Sequence, residues 1–574
     1  MQKKHVDRYG LGKQVAWMKK IVPIGTEYFA KLRENYYFVD KTTFLIEFFR
    51  AHSDVTLITR PRRFGKTLLL SMIQQFLDIE DAEEHQKFFE GLKVMDDPVA
   101  MAEQGTRPVV FLTMKGWTGD TWESMQRNIA WYLADLYGNF MFLQKDKMSP
   151  QDAEAFDQIL RGKATMEVFS KAFPLLCKLL EDHYGKKAVL LIDEYDAPIQ
   201  CAWTHRYYKD AIDFYRNLFS NAMKTNPSLD FSILTGVLRI AKESIFSGLN
   251  NLKVSTVRRG GFATACGYTK EEVAKMARDL GHEDKLEELA SWYDGYNFQG
   301  VDIYNPWSVN NYFSEHCEAE AYWVNTSGND ILQTMLGRID KKRARDFQRL
   351  LKGQTIRTPL EDSFIYKDIE EHRANLYALL LSTGYLKCIR SGKEDDVRWY
   401  DLCLPNREIC SVFRSEIMKY LSYPSGSDLL FDLLEAMQEG DTEDFEDGLQ
   451  KILRNMVSYH DAAQPESFYH GLMLGLSVWL ESRYRIRSNR ESGYGRFDLA
   501  FFPKRPALPG LVMEFKAVEK EEDLAQGAED ACRQIEEKAY ATELEAEGVQ
   551  DIWKYGIAFC KKQVLVKMGS GIRP

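Results

Sequence analysis

The segment from Arg60 to Thr67 constrains the fold of this 574-residue chain more than any other stretch. It reads Arg-Pro-Arg-Arg-Phe-Gly-Lys-Thr and lies between a β-branched apolar run, Val55 to Ile58, and helically spaced apolar residues from Leu68 to Leu77. These flanks predict a buried strand before the segment and a helix after it. Gly-Lys-Thr at such a turn is typical of a loop that surrounds phosphate groups, because N–H groups at a helix N-terminus attract anions.

The side chains of this loop predict how ATP and Mg²⁺ would be held. Lys66 is placed to reach the β- and γ-phosphate oxygens, and the Thr67 hydroxyl is placed to ligate Mg²⁺. Arg60 stands where the general pattern has its first glycine. The alternative is an ordinary helix N-terminus that carries a surface lysine. The predicted nucleotide-binding residues of the loop are Arg60, Arg63, Phe64, Gly65, Lys66 and Thr67.

A second segment, Ala188 to Glu194, is a continuous apolar run that ends in two carboxylates. This pattern predicts a buried strand from whose end Asp193 holds Mg²⁺ while Glu194, as catalytic residue, polarises the attacking water. A further apolar strand ends at Thr235, which we expect to sense the γ-phosphate. Arg239 follows it, either as a second sensor or as a plain surface charge. Strands at 55–58, 109–113, 188–192 and 231–235 alternate with helical stretches, which predicts a parallel sheet flanked by helices.

Composition limits the other possibilities. Apolar residues make up 45% of the chain and aromatic residues 13%, which is ample for buried cores, and the length predicts about three to four domains. The net charge of −10 means that any nucleic-acid contact needs a local basic patch. The longest apolar stretch is too short to span a bilayer, and the nine scattered cysteines indicate neither structural zinc nor a disulfide framework. We therefore expect a soluble cytoplasmic protein without a membrane partner, and the sequence is compatible with a homo-oligomer.

The middle of the chain predicts two modules. Residues from Cys266 to about Glu361 form aromatic-rich helical segments separated by turns, which indicates a helical lid with its aromatic residues used mainly for packing. An apolar helix at 374–382 and strands at 385–389 and 397–404, joined by a polar turn, then suggest a winged-helix-like module. Its turn is acidic and matches DNA phosphate poorly, so we favour a connecting role.

Asp498, Glu514 and Lys516 predict a second site near the end of the chain. Strands at 497–502 and 511–516 can bring Asp498 and Glu514 side by side in a hairpin, and Lys516 projects from the same strand face as Glu514. Two carboxylates can hold the Mg²⁺ or Mn²⁺ that phosphodiester hydrolysis needs, and a lysine can orient the water. Such spacing also arises by chance in charged chains. Here it occurs with an apolar helix at 468–480, a helix at 525–540 and a strand at 555–559.

An arginine-rich segment precedes that hairpin. It predicts a basic patch that grips nucleic-acid phosphates beside the metal, and solvated charge on an edge strand is the alternative. The arginines are Arg483, Arg485, Arg487, Arg490 and Arg496.

Several motifs together resemble a known family, the bacterial AAA-ATPase-like proteins that carry a C-terminal PD-(D/E)XK nuclease-like domain. The resemblance extends from about residue 20 to the end, and in that family arginine is usual in place of the first loop glycine. It implies that Glu466 adds a metal contact and that Gln534 steadies the nuclease site, both as catalytic residues. The motifs are Val39-Asp40-Lys41-Thr42, Ile58 to Thr67, Leu191 to Pro198, Leu234 to Val237, Trp292 to Tyr296, Tyr304 to Ser308, Tyr322 to Asp330, Glu466 to Gly471, Ser488 to Asp498 and Glu514 to Lys516.

The resulting prediction is an α/β multidomain chain with a metal-dependent enzyme at each end. The expected order is a variable arm (1–20), a P-loop AAA-like ATPase domain of the ASCE type with a parallel sheet (21–265), a helical lid (266–361), a winged-helix-like and helical connector (362–450), and a restriction-endonuclease-like α/β domain (451–574).

Three functions fit this order. The first is a nuclease controlled by ATP binding or hydrolysis, in defence against foreign nucleic acid or in mobile-element biology. The second is an ATPase whose nuclease fold only binds nucleic acid, and the third is a nucleotide-dependent switch with protein partners only. The complete set of Asp498, Glu514 and Lys516 favours the first over the second.

Overall fold

A computed structural model describes most of the chain and divides it into two compact units. The first unit comprises Met1–Trp323 and Arg357–Glu408, and the second comprises Val324–Ile356 and Ile409–Pro574. The residues described are 21–569 except 52, 241–250, 324–345, 348, 352, 361–372, 396, 414–427, 457–468, 471, 474–475, 477–479, 481–482 and 493–494. The predicted arm (1–20) therefore lies outside them, as do Glu466 and much of the predicted helix at 468–480.

A five-stranded parallel sheet forms the centre of the first unit. Its spatial order is β2-β3-β4-β1-β5, so β4 lies between the strand that precedes the phosphate loop and the strand that ends in Asp193. Every residue of β3 is buried, which explains its unbroken apolar sequence. The four predicted strands are confirmed, and a short fifth strand joins them. The strands are β1 (Val55–Thr59), β2 (Val109–Thr113), β3 (Ala188–Asp193), β4 (Leu229–Gly236) and β5 (Leu252–Ser255).

Helices connect these strands, as a parallel sheet requires. The helix predicted after the phosphate loop is confirmed as α3. The helices of this region are α1 (Phe29–Asn35), α2 (Thr43–Ala51), α3 (Lys66–Leu77), α4 (Ala82–Gln86), α5 (Pro98–Met101), α6 (Trp122–Gly138), α7 (Pro150–Leu160), α8 (Met166–Phe169), α9 (Ala172–Tyr184), α10 (Ala197–Thr204) and α11 (Tyr208–Met223). Short 3₁₀ turns lie at Lys87–Phe89, Lys93–Asp96 and Met141–Lys145.

The segment predicted as a helical lid also contains a small antiparallel sheet of order β6-β8-β7. Its strands have only two to four residues, too few to show an alternating pattern in the sequence. The first helix after them starts at a capping box between Thr269 and Glu272. The elements are β6 (Tyr268–Thr269), α12 (Lys270–Leu280), a 3₁₀ turn (Glu283–Lys285), α13 (Leu286–Tyr293), β7 (Tyr296–Phe298), β8 (Val301–Tyr304) and α14 (Pro306–Ser314).

A helix and an antiparallel sheet complete the first unit. The predicted helix and second strand are confirmed as α15 (Arg373–Thr383) and β11 (Val397–Cys403). The first strand, β10 (Lys387–Glu394), starts two residues later than predicted and continues into the residues predicted as a polar turn, because these pair with β11. A third strand, β9 (Ile356–Pro359), lies beside β11. The predicted connector is thus divided, since its residues up to Glu408 belong to the first unit and those from Ile409 to the second.

A mixed five-stranded sheet forms the centre of the second unit. Its strands follow chain order, and only β14 and β15 are parallel neighbours. The predicted hairpin, the helix after it and the late strand are confirmed, while the arginine-rich segment is itself a strand. The elements are α16 (Asp428–Glu439), α17 (Thr442–Met456), β12 (Tyr484–Ser492), β13 (Gly495–Pro503), β14 (Gly510–Ala517), a 3₁₀ turn (Glu521–Asp523), α18 (Leu524–Glu537), α19 (Thr542–Ala546), β15 (Ile552–Cys560) and β16 (Gln563–Met568).

Helix α17 protects one edge of this sheet. Gln450 Oε1 accepts a hydrogen bond from Val564 N at 3.1 Å, and Glu446 Oε2 accepts one from Val566 N at 2.8 Å. These side chains satisfy N–H groups of edge strand β16 that would otherwise be open to pairing with another chain. None of the helices in the described part of the chain has both the length and the apolar character needed to cross a bilayer.

Helix α18 approaches β15 closely at Gly556. A Cβ atom on Gly556 would lie 2.3 Å from Ala528 O and 2.6 Å from Cys532 N, both backbone atoms of that helix. Only glycine permits this approach, which brings α18 onto the strands that carry the predicted metal site.

We expect Gly556→Ala to lower the free energy of unfolding of the second unit by about 1–3 kcal/mol, the usual cost of overpacking. Urea titration followed by circular dichroism measures it. Gly569→Ala is the matched control, because its added Cβ would meet no described atom closer than 3.6 Å. Equal stability of the two variants would contradict the close packing.

Candidate functional site

The phosphate loop ends at an open helix N-terminus. Gly65, the N-cap of α3, adopts a left-handed conformation with φ of +88°, and an added Cβ there would meet no described atom within 4 Å. The first N–H groups of a helix have no intrahelical partner, so they are available to an anion. Lys66 is 5% exposed and donates from Nζ to Arg60 O at 3.2 Å and Pro61 O at 3.0 Å. The Lys66 side chain thus contacts the backbone of the loop at which it is predicted to bind phosphate.

Three oxygen-bearing side chains meet beside this loop. Thr67 Oγ1 donates to Asp193 Oδ2 at 2.6 Å, and Thr235 Oγ1 donates to the other oxygen of the same carboxylate. They converge because parallel strands end at the same edge of the sheet and β4 separates β1 from β3. Carboxylate and hydroxyl oxygens are the ligands that Mg²⁺ prefers. The structure therefore brings together the three residues predicted to hold and sense the nucleotide and its metal.

Glu194 follows Asp193 with an unusual backbone conformation. Its φ is +51°, a left-handed value that is uncommon outside glycine and often occurs at functional sites. The residue is partly exposed, and its side chain has no hydrogen-bond partner among the described residues. A carboxylate in this position can accept a proton from water.

Two of the predicted loop residues point into the protein interior. The Arg60 guanidinium is fully buried and donates to Ser255 Oγ at 3.0 Å and to Phe262 O at 2.7 Å. The Phe64 ring is 1% exposed and packs on Phe298 with 5.2 Å between ring centroids. These side chains fix the loop in place, so we expect any contact of Arg60 or Phe64 with a nucleotide to come from the backbone.

Arg63 has a different environment. Its guanidinium stacks on the Trp307 ring, with Cζ 3.7 Å from the ring centroid, and its buried Nη1 has no hydrogen-bond partner in the described part of the chain. Burial lowers the pKa of Arg63 to about 10, which the Glu408 charge partly offsets, so the group is a cation at neutral pH. A buried cationic donor in a phosphate loop is suited to a phosphate oxygen. The loop, Asp193 and Arg63 thus fit a nucleoside triphosphate with Mg²⁺.

Tyr195 and Asp196 belong to a sequence motif that indicated no role for them, and the structure shows that they hold the segment after Thr235. Asp196 Oδ2 accepts from Val237 N at 3.0 Å and Leu238 N at 2.8 Å. Tyr195 OH donates to Leu238 O at 2.6 Å and accepts from Ile240 N at 3.1 Å. The same segment carries Arg239, which is partly buried. The only signal in the sequence is a tyrosine and an aspartate directly after the paired carboxylates.

The predicted nuclease residues also converge. The β13/β14 register pairs Leu499 with Met513, and one more step would place Asp498 opposite Glu514. Asp498 Oδ2 accepts from Phe515 N at 2.9 Å. The amide of Gln534 lies between the other two residues: its Oε1 accepts from Lys516 Nζ at 2.7 Å, and its Nε2 donates to Glu514.

Gln534 and Asp498 are each held by a further residue that the sequence did not predict. Gln534 Nε2 also donates to Tyr540 OH at 3.2 Å, and His470 Nε2 lies 3.1 Å from Asp498 O. No group of three or more His, Cys, Asp or Glu able to hold a metal occurs in the described part of the chain. The third predicted ligand, Glu466, lies outside that part. Two carboxylates fit Mg²⁺, which commonly keeps several water ligands.

The arginine-rich strand β12 uses two of its arginines within the protein. Arg485 pairs with Glu547, and Arg487 pairs with Glu543 while its guanidinium lies 4.3 Å from the Phe502 ring centroid. These two charges are therefore largely balanced by acidic partners. Arg483, just before the strand, is exposed and donates to Gln438 Oε1 at 3.1 Å. The side chains of Arg490 and Arg496 lie outside the described residues, so the basic patch stays a prediction.

Comparisons with known proteins assign both ends of the chain to family models. Residues 23–246 match a family model described as a predicted AAA-ATPase, and residues 464–568 match the model of the PD-(D/E)XK nuclease superfamily. The chain thus carries an AAA-ATPase-like domain towards its N-terminus and a PD-(D/E)XK nuclease domain towards its C-terminus, which confirms the resemblance. A protein of Azotobacter chroococcum mcd 1, described as uncharacterized and in the vnfD 5' region, is 27% identical over 95% of this chain and 97% of its own length.

Burial of Asp196 gives a test of its role. Burial, helped by the nearby Glu194 charge, raises the pKa of Asp196 to about 6 from 3.8. A raised pKa means that stability is present below pH 3.8 and is lost as pH rises through 6. We expect the parent to lose about 2 kcal/mol relative to Asp196→Asn between pH 4.5 and 7.5, since one pKa unit equals about 1.4 kcal/mol. Urea titrations at both pH values measure this, and a pH-independent difference between the two proteins would contradict it.

Proposed function

We propose that the first unit binds and hydrolyses Mg-ATP and that the second unit cleaves phosphodiester bonds of nucleic acid with Mg²⁺ or Mn²⁺. The observation that carries the ATPase proposal is the hydrogen bond of 2.6 Å between Thr67 and Asp193, next to a Glu194 carboxylate with no hydrogen-bond partner among the described residues. The nuclease proposal is supported by the contacts that join Glu514, Gln534 and Lys516.

The residues of the first unit have distinct proposed tasks. The N-terminus of α3, with Lys66 and Arg63, binds the phosphate oxygens and balances their charge. Thr67 and Asp193 would hold Mg²⁺, which would supply charge neutralisation to the transferred phosphoryl group. Glu194 orients a water molecule and accepts its proton. Thr235 reports on the γ-phosphate through the Asp193 carboxylate that it shares with Thr67.

The second unit has a similar division of tasks. Asp498 and Glu514 would hold the divalent metal, which would supply water activation and charge neutralisation at the scissile phosphate. Lys516 stabilises negative charge that develops on the phosphate, and its 2.7 Å bond to Gln534 fixes its position. Gln534 at the same time holds Glu514, so one amide orients both groups.

We further propose that nucleotide state controls cleavage, because an unregulated nuclease endangers nucleic acid of its own cell. Defence against foreign nucleic acid or mobile-element biology is the setting that we propose for such control. Two alternatives are a nuclease fold that binds without cleaving and a switch with protein partners only. Metal-dependent cleavage that requires Lys516 separates the main proposal from both.

We expect Lys66→Ala to weaken ATP binding about 10- to 100-fold, the usual loss for a hydrogen bond to a charged group. Glu194→Gln should keep ATP affinity and lower turnover about 100- to 10,000-fold, because it loses the proton acceptor. Fluorescent ATP-analogue titration and phosphate release measure the two effects. Lys209→Ala, on the exposed surface of α11, is the control. Parent-like affinity in Lys66→Ala would refute the nucleotide site.

Asp498→Asn should strongly weaken a Mn²⁺ site seen by calorimetry of the full chain, because one of two carboxylate ligands is lost. Lys516→Ala should lower cleavage of plasmid, single-stranded DNA or RNA about 100-fold or more while ATP turnover continues. Lys520→Ala is a matched control, since that side chain is 69% exposed in the segment directly after β14. An unchanged Mn²⁺ isotherm in Asp498→Asn would leave these carboxylates as ordinary charges.

A further inference from the structure

A buried carboxylate lies where the chain leaves the first unit. Glu408 is fully buried, and it is the last residue of the first unit before the chain continues into the second. Its Oε1 accepts a hydrogen bond from Trp323 N at 2.9 Å. Trp323 is the last residue of the first stretch of the first unit, because Val324 belongs to the second unit. The chain passes between the units at three points, after Trp323, Ile356 and Glu408. The hydrogen bond of the Glu408 carboxylate to Trp323 N connects two of them.

The third group at this carboxylate is Ser308. Its hydroxyl lies 2.9 Å from one oxygen of Glu408 and 2.8 Å from the other. We name Glu408, Ser308 and the backbone N–H of Trp323 the crossover clasp. Burial raises the pKa of Glu408 to about 7, against the effect of these hydrogen bonds. The backbone N–H of Tyr322 also acts on this carboxylate, so its donors are the Ser308 hydroxyl and two consecutive backbone N–H groups. A buried polar network of this kind is sensitive to changes in its surroundings.

The crossover clasp is connected to the phosphate loop through α14. Trp307 directly precedes Ser308. The Arg63 guanidinium stacks on the Trp307 ring, with Cζ 3.7 Å from the ring centroid. Burial lowers the pKa of Arg63 and the negative charge of Glu408 partly offsets this effect, so the two groups interact electrostatically. A displacement of Arg63 towards a phosphate would therefore change both the stacking on Trp307 and the charge that faces Glu408.

A second series of contacts leads to the same point. Gly384 packs against Pro61 of the phosphate loop, where an added Cβ would lie 3.0 Å from the proline Cβ. Tyr385, the next residue, packs edge-on against the Trp323 ring with 4.9 Å between centroids. Two independent sets of contacts thus connect the phosphate loop with Trp323.

We propose that the crossover clasp passes the nucleotide state of the phosphate loop to the unit that carries the nuclease domain. This inference rests on the proposed nucleotide site and deepens it by naming how that site regulates the second unit. A ligand shifts a conformational equilibrium only if it binds the two states unequally, and the position of Arg63 is the difference that we assign to the two states. The segment after Glu408, residues 409–413, then carries the change into the second unit.

The test compares the full-length parent with Glu408→Gln, which keeps the shape of the side chain and removes its charge. Amide hydrogen exchange of residues 409–413, the start of the second unit, is measured with and without a non-hydrolysable ATP analogue and Mg²⁺. In the parent we expect nucleotide to change the exchange rate about fivefold or more, the lower range of usual allosteric coupling. In Glu408→Gln we expect a change below about twofold, with nucleotide still bound.

Controls separate this inference from the proposed function. Glu287→Gln removes the same charge from an exposed site on α13 and should respond like the parent. Ser308→Ala leaves the carboxylate in place and decides the question if Glu408→Gln does not fold. Its response should also fall below that of the parent.

Two results would contradict the proposed role of the crossover clasp and leave the proposed nucleotide site unaffected. The first is Lys66-dependent nucleotide binding without any change at residues 409–413 in the parent. The second is a full response in Glu408→Gln. Absence of Lys66-dependent binding would instead remove the proposed function and the inference with it.

Discussion

The carboxylate of Asp193 is the interaction on which the first unit depends. It ends a strand that is buried along its whole length, and it accepts hydrogen bonds from hydroxyls on two other elements, Thr67 at the start of α3 and Thr235 at the end of β4. A charged group at low exposure is stable only when it is paired or hydrogen-bonded. The sheet order places β4 and the start of α3 beside the end of β3, so both hydroxyls reach the same carboxylate.

Local patterns were sufficient to predict most of the fold. The strands β1 to β4 are continuous apolar runs, and α3 follows a loop whose residue types require a strand before it and a helix after it. The sequence did not predict β5 to β9 or β16, because they have two to six residues or mix polar with apolar positions. The charges of β12 concealed it as a strand, since Arg485 and Arg487 are balanced by acidic residues 62 and 56 positions later.

The candidate sites show a similar limit. Gly65, Lys66 and Thr67 follow from residue type and spacing, but the inward direction of Arg60 depends on Ser255 and Phe262, nearly 200 residues away. Contacts between residues so far apart in the chain leave no periodic pattern in a single sequence. The roles of Tyr195, Asp196 and Glu408 were missed for the same reason, since each is defined by the backbone groups that it binds.

A buried polar network can connect a loop with a distant segment because its members have few alternative partners. Around Glu408 these members are a serine hydroxyl and the backbone N–H groups of Tyr322 and Trp323, and the guanidinium of Arg63 is a charge nearby. Apolar packing alone, as between Tyr385 and Trp323, would transmit a shift in position but not a change in charge. Polar contacts at Glu408 and apolar packing at Trp323 meet within the crossover clasp. This combination is why we propose that the crossover clasp regulates the second unit.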